Sequence, residues 1–234
     1  MPENENYRII CLGTYCLPRV ITTFCNLKPR KAEGEKTCPF DICFSWNFDG
    51  VLDILDNEFK TFFEDVEFGE FENPKIKDDL FTIFGSKVPD TVWKHEKACI
   101  YFNHEGYHRD REKFVDTYTK RIQNLYEYLK DCDRKLYIVI ASFDPINQEQ
   151  IKRLNDIINR YRPQDSYCNI IINQSVNPSL NINLPNTFVI DCTKEAWRKL
   201  FRSYWIKVLE RHTVWKDANE FWEYLTGNLK NLIR

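Results

Sequence analysis

Arg8-Ile9-Ile10-Cys11-Leu12-Gly13-Thr14-Tyr15-Cys16-Leu17-Pro18-Arg19-Val20-Ile21-Thr22-Thr23-Phe24 is the stretch on which the fold turns. Arg8 to Leu12 is a short, largely apolar run stopped by Gly13, the pattern of a buried strand. Leu17, Val20, Ile21 and Phe24 then recur at helical spacing. Proline is tolerated only in the first turn of a helix, so Pro18 predicts a helix starting at Thr14 or Tyr15. Strand, tight turn and helix follow one another, and Cys16 falls at or beside the helix N-terminus.

The same grammar continues along the chain. Asn26 to Cys38 is polar and reads as a loop. A short helix is expected after Asp49, with Leu52, Leu55, Phe59 and Phe62 on one face. Residues 64–92 are acidic and aromatic without a clean period, and read as an irregular insertion. Cys99 to Phe102 reads as a strand, and Arg109 to Lys130 as a helix burying Phe114, Tyr118, Ile122, Leu125 and Leu129. Leu136 to Ala141, Ile170 to Ile172 and Phe188 to Ile190 read as strands, and Ile151, Leu154, Ile158 and Tyr161 mark a helix. Helices bearing Trp197, Leu200, Tyr204 and Val208, then Phe221, Trp222, Leu225 and Leu229, complete the pattern. Apolar strands alternating with amphipathic helices predict an α/β fold, a three-layer αβα sandwich around a mostly parallel sheet of about five strands. One domain over residues 1–234 is expected.

Composition bounds the function. The 234 residues are 43% hydrophobic and 15% aromatic, enough for a sizeable core. A formal net charge of −2 argues against a general electrostatic grip on nucleic acid or an anionic membrane. The start, Met1 to Tyr7, is acidic and polar, and apolar runs are far too short for a membrane span. Nine cysteines, an odd number without an export signal, favour reduced thiols and a cytoplasmic setting. No CxxC occurs, so no zinc site is expected. The seven glycines are scattered singly, so no phosphate loop and no organic cofactor are implied.

In parallel sheets, sites lie at the carboxyl ends of strands. That rule selects Gly13 to Cys16, Asn103 to Tyr107, Ser142 to Asp144, and Asp191 to Thr193. A thiol at a helix N-terminus meets unpaired backbone N–H groups and the positive end of the helix dipole, which favour thiolate and can hold an oxyanion. Cys16 fits that role, and it equally fits a small residue packed under a turn. The chain has four histidines, His95, His104, His108 and His212. His104, just past a strand end, is the expected base, with His108 as its substitute, while His95 and His212 read as surface residues. Within Cys38-Pro39-Phe40-Asp41, Asp41 reads either as an orienting carboxylate or as a turn aspartate capping backbone N–H groups. Arg109, Arg111, Lys120 and Arg121 can hold an anionic substrate or form a solvated helix face.

Leu12-Gly13-Thr14-Tyr15-Cys16, Pro39-Phe40-Asp41, Trp46, Phe102-Asn103-His104 and Lys120-Arg121-Ile122 together resemble a family of unknown function labelled papain-like cysteine peptidases, over roughly residues 7–145. The resemblance implies a thiol site with Cys16 as nucleophile, His104 as base and Asp41 beside them. Two positions depart from the family pattern: Ile42 replaces a tryptophan after Phe40-Asp41, and Ala141-Ser142-Phe143-Asp144 lacks an arginine. Papain-like α+β enzymes place the cysteine on a leading helix. A strand before Cys16 is more similar to SGNH-type hydrolases.

The expectation is therefore a cysteine-dependent hydrolase or acyl transferase acting on a peptide or an acylated substrate. Gly13, Thr14, Tyr15, Phe40, Asn103, His108 and Arg109 are its expected substrate contacts. The alternative is a non-catalytic module on the same fold that binds protein or glycan.

Overall fold

The computed structural model describes residues 6–13, 16–29, 34–45, 47–70, 91–102, 109–142, 145–173, 182–192 and 216–233. In chain order the elements are β1 (Tyr7–Gly13), α1 (Leu17–Phe24), β2 (Phe44–Ser45), α2 (Phe48–Asp56), β3 (Val66–Glu70), β4 (Thr91–His95) and β5 (Ile100–Phe102). They continue with α3 (Arg111–Lys130), β6 (Lys135–Ser142), α4 (Gln148–Ile158), a 3₁₀ turn (Gln164–Ser166), β7 (Tyr167–Asn173), β8 (Thr187–Asp191) and α5 (Lys216–Leu232). The expected helix bearing Trp197, Leu200, Tyr204 and Val208 lies outside the described residues.

The fold is α/β with two four-stranded sheets, ordered β1-β6-β7-β8 and β2-β5-β4-β3. The first is parallel throughout, from Tyr7 opposite Lys135 to Gly13 opposite Ala141, then through β7 to β8. Its strands are near-continuous apolar runs because both faces are covered. Ile10, Leu12, Ile138, Ile140 and Ile171 face α2, α3, α4 and the second sheet. Ile9, Cys11, Val139, Ile170 and Ile172 face α1 and α5.

The strand at Ile100–Phe102 does not join the parallel sheet, as the alternation implied. It pairs antiparallel with β4 and β2. The link from His95 to Ile100 is too short for the crossover that parallel pairing requires, so only a hairpin can form. The stretch read as an irregular insertion contributes strand β3, which pairs antiparallel with β4 from Val66 opposite His95 to Glu70 opposite Thr91. Helix α2 stops at Asp56, short of the expected Phe59 and Phe62, because Glu58 and Phe59 take left-handed φ values of 56° and 59°. Both phenylalanines still enter the core.

Caps fix the helices where the sequence supplies them. Asn47 accepts from Asp49 N–H, Asp110 from Lys113 N–H, and Asn147 forms a reciprocal capping box with Gln150. Arg153 bridges α4 to Asp53 (2.8 Å) and Asp56 (3.1 Å) on α2.

Gly13 ends β1 at a φ of 128°, and a Cβ there would overlap the Ala141 carbonyl of β6. Only glycine meets both conditions. Gly13→Ala should therefore cost about 3 kcal/mol in urea unfolding, from backbone strain and overpacking together. A loss under about 0.5 kcal/mol would show that β1 need not approach β6 so closely.

Candidate functional site

Helix α1 begins at Leu17, two or three residues later than the sequence suggested, and Cys16 is its N-cap. Val20 N–H donates to the Cys16 carbonyl (3.1 Å), while the Cys16 side chain makes no capping bond. Pro18 occupies the first turn, so one of the helix's open N–H positions is absent by construction. Leu17 and Arg19 retain theirs. The Cys16 residue is 6% exposed. Burial pushes its thiol up to about 12, against only a small opposing contribution from a backbone hydrogen bond. In this conformation the sulfur is a neutral thiol.

Cys43 lies within electrostatic range of it: the Cys43 thiol is pushed up by burial first and by Cys16 and Asp41 after that. Cys43 Sγ–H donates to the Phe40 carbonyl (3.7 Å), which ties it to the loop carrying Asp41. β2 begins one residue later, and its antiparallel pairing sets Phe44 opposite Tyr101 and Ser45 opposite Ile100. β5 therefore runs with its carboxyl end toward Cys43.

Asp41 is fully buried, and its partner is a residue the sequence placed in a polar loop. Lys28 is 1% exposed and approaches both Asp41 carboxylate oxygens at 3.4 Å. The chain brings it there through a tight reversal after α1. Asn26 adopts a left-handed φ of 56°, and the Thr22 carbonyl accepts from both Leu27 and Lys28 N–H (2.9 and 3.0 Å). Lys28 Nζ then donates to the Ile9 carbonyl of edge strand β1 (2.9 Å) and lies 3.6 Å from Glu35. Burial alone would lower the Lys28 pKa, but the facing Asp41 overrides it and holds the ammonium well above its ordinary value. Asp41 also accepts from Cys38 N–H (2.9 Å) while its own N–H donates to the Cys38 carbonyl (3.2 Å). The turn-capping role read from Cys38-Pro39-Phe40-Asp41 is thus present, with an ion pair added.

Phe40 is buried against Phe59, with ring centroids 5.8 Å apart. Gly13 holds the β1 terminus. Arg109 is exposed, with its guanidinium 5.7 Å from the Phe68 ring centroid. Arg111 donates to the Val66 (3.0 Å) and Phe63 (2.7 Å) carbonyls, and Arg121 lies over the Tyr118 ring at 4.6 Å. Thr14, Tyr15, Asn103, His104 and His108 lie outside the described residues.

Two residues escaped the sequence reading. Lys28 was hidden by its polar neighbourhood, though Leu27 and Pro29 beside it are the signal of a chain turning inward. His95 was expected at the surface but is 4% exposed, because it ends β4 and packs on Phe62 at 5.7 Å. No group of three or more His, Cys, Asp or Glu side chains among the described residues is arranged to hold a metal. Nor is any helix among them long and apolar enough to cross a membrane.

These features define a class: an α/β protein with a thiol where the first strand hands over to a helix. The chain belongs to the family described as "Putative papain-like cysteine peptidase (DUF1796)", whose model matches residues 7–174. The match extends past residue 145, near which the resemblance read from the motifs ends. No curated protein and no solved structure matches the chain.

Lys28→Met should cost about 3–5 kcal/mol in denaturant unfolding, since it strands a buried carboxylate. Adding Asp41→Asn should recover much of that loss, and equal damage in single and double variants would show that the pairing carries no energy.

All nine cysteines are free thiols, and seven, all but Cys99 and Cys132, are buried. Burial raises Cys11, Cys16 and Cys192 to about 12, and Cys25 and Cys168 to about 11. Unfolded thiols titrate near 8.5. The folded chain therefore keeps protons that the unfolded chain releases above that pH. The stabilisation is complete below about pH 8.5 and fades toward pH 12, at about 1.4 kcal/mol per pH unit for each such thiol. Urea midpoints under reductant should fall steadily from pH 8 to 10, and a flat profile would contradict the burial of these sulfurs.

Proposed function

We propose that the chain is a cysteine-dependent hydrolase or acyl transferase with Cys16 as its nucleophile. The observation that carries this reading is directional. β1 delivers Cys16 to the start of α1, and β5 runs toward Cys43, whose thiol feels the charge of Cys16. His104 is two residues past the end of β5. Its imidazole would take the Cys16 proton as sulfur attacks a carbonyl carbon, then return it to the leaving group. Water or a second acceptor would release the acyl group. N–H groups at the start of α1, those of Leu17 and Arg19, would face the oxyanion. Asp41 is a positioning residue here: fixed by Lys28, it holds the loop that carries Cys43. The carbonyl belongs to a peptide, or to an acyl ester or thioester.

Family membership supports the reading, and the strand–nucleophile–helix order resembles that of SGNH-type hydrolases. The three-layer arrangement, with apolar residues of the parallel sheet facing helices on both sides, is part of the same proposal. A second reading, a non-catalytic binding module, is favoured by one observation: the Cys16 thiol is buried and its pKa raised.

Alkylation separates the two. If His104 activates Cys16, iodoacetamide at pH 7 should modify Cys16 at least as fast as the exposed Cys99 and Cys132. His104→Ala should then slow Cys16 about 100-fold and leave the exposed pair unchanged. A Cys16 as inert as Cys11, in both proteins, leaves the binding module standing and removes the enzyme.

A further inference from the structure

A concavity lies between the chain following α2 and the β4–β5 hairpin. Its volume is about 290 Å³, and its lining includes Phe59, Thr61, Phe62, Asp65, His95 and Lys97. It is built from groups that the proposed thiol chemistry does not use.

His95 is the key to it. Its Nδ1 accepts from Ala98 N–H (3.2 Å), so the neutral ring carries its hydrogen on Nε2. Burial lowers the pKa of this histidine, keeping it neutral. The ring is thus a fixed hydrogen-bond donor, held by strand β4 and the Phe62 face, on the wall of the cavity.

The remaining polar groups are balanced. Asp65 pairs with Lys97 (2.5 Å), and Asp53 pairs with Arg153 (2.8 Å). The cavity therefore presents carboxylate acceptors without a net charge to attract an ion. Asn57 Nδ2 donates to Thr61 Oγ1 (3.3 Å), which places an amide and a hydroxyl at the rim. Phe59, Phe62 and Ile54 supply an apolar floor.

Backbone conformation marks the same place. Among the described residues, five non-glycine residues have positive φ; one of them, Phe59 (59°), lines this cavity, and two more, Glu58 (56°) and Cys99 (52°), are chain neighbours of lining residues. A bulky residue such as phenylalanine rarely adopts that region, and such strain gathers at ligand sites.

We propose that this cavity binds a neutral, polyhydroxylated ring, a single pyranose, with His95 Nε2–H, Asn57, Thr61 and the paired carboxylates meeting its hydroxyls and the phenylalanines meeting its apolar face. The volume sits at the lower end of ligand pockets, roughly 300–1,000 Å³, which fits one ring rather than several. Interleaved donors and acceptors over an aromatic floor match the alternation of hydroxyls and C–H faces on a sugar. The site is separate from Cys16 and stands whether or not that thiol is a nucleophile.

The test is a titration of the full chain, with ¹⁵N-labelled histidine, by methyl glycosides of glucose, galactose, mannose and N-acetylglucosamine and by the corresponding free sugars. At least one glycoside should shift the His95 ring signals saturably. Preference for the glycoside over the free sugar identifies the end of a glycan as the source, and the reverse identifies a free monosaccharide. Asn57→Ala and Thr61→Val, both at exposed positions, should keep the fold and each weaken binding about fivefold. The proposal is overturned if no sugar moves the His95 signals. It is equally overturned if acetate, phosphate or ammonium moves them instead, or if neither variant alters the affinity.

Discussion

The buried pairing of Lys28 with Asp41 is the constraint around which the amino-terminal half is arranged. Three segments meet there that would otherwise share few contacts: the reversal after α1, the edge of β1, and the Cys38–Asp41 turn. An ammonium and a carboxylate removed from water each lose several kcal/mol of hydration, so the pair contributes little net energy unless its other donors and acceptors are satisfied. They are satisfied here. Lys28 reaches the Ile9 carbonyl, Asp41 accepts the Cys38 amide, and Glu35 receives the Tyr128 hydroxyl (3.0 Å) beside the ammonium. Alternative packings of the loop would leave one charge unpaired in the core, and this penalty makes the arrangement specific.

The consequence for Cys16 is a contest between two effects. A helix N-terminus favours thiolate, with an influence that fades within a turn and is largest where amides are free. Burial opposes it with greater force, raising the thiol to about 12. Pro18 tips the balance further by removing one amide from the first turn. A thiol in this setting gains reactivity only from a proton acceptor that shares its burial. The Lys28 ammonium cannot serve, because it is fully protonated and committed to Asp41. The proposed role of Cys16 as nucleophile therefore requires a different proton acceptor.

The strand–turn–helix unit around Cys16 was legible because its signals are local: an apolar run, a glycine, and a proline that fits one helical position. The parallel strands β6, β7 and β8 were legible for the same reason. What sequence periodicity does not carry is pairing. Ile100–Phe102 looks like any short apolar strand, and only the brevity of its link to β4 reveals the antiparallel sheet. Val92-Trp93-Lys94-His95 hid its strand behind charge, since Lys94 is buried beside Glu67 (3.1 Å) rather than solvated. Lys28 and Asp41 lie thirteen residues apart in a polar stretch, and no local pattern announces that they meet. Of the site, the positions of Cys16 and the Asp41 turn were readable. The ion pair that fixes them was not.

An unbroken aromatic path runs through the amino-terminal half of the chain. Phe40, in the Asp41 turn, packs on Phe59, then Phe62 (5.6 Å), Phe102 (5.8 Å) and Phe114 (5.3 Å), with Tyr118 stacked on the last at 4.5 Å. Close-packed rings transmit displacement because none can move without opening a void beside its neighbour. Phe59 belongs both to the floor of the His95 cavity and to the contact that seats Phe40. Its left-handed backbone is tolerated because the ring is held from both sides, by Phe40 and by Phe62. Displacement of that ring would be felt first at Phe40, the residue before Asp41. The proposed cavity and the turn carrying Asp41 therefore have one ring in common, Phe59.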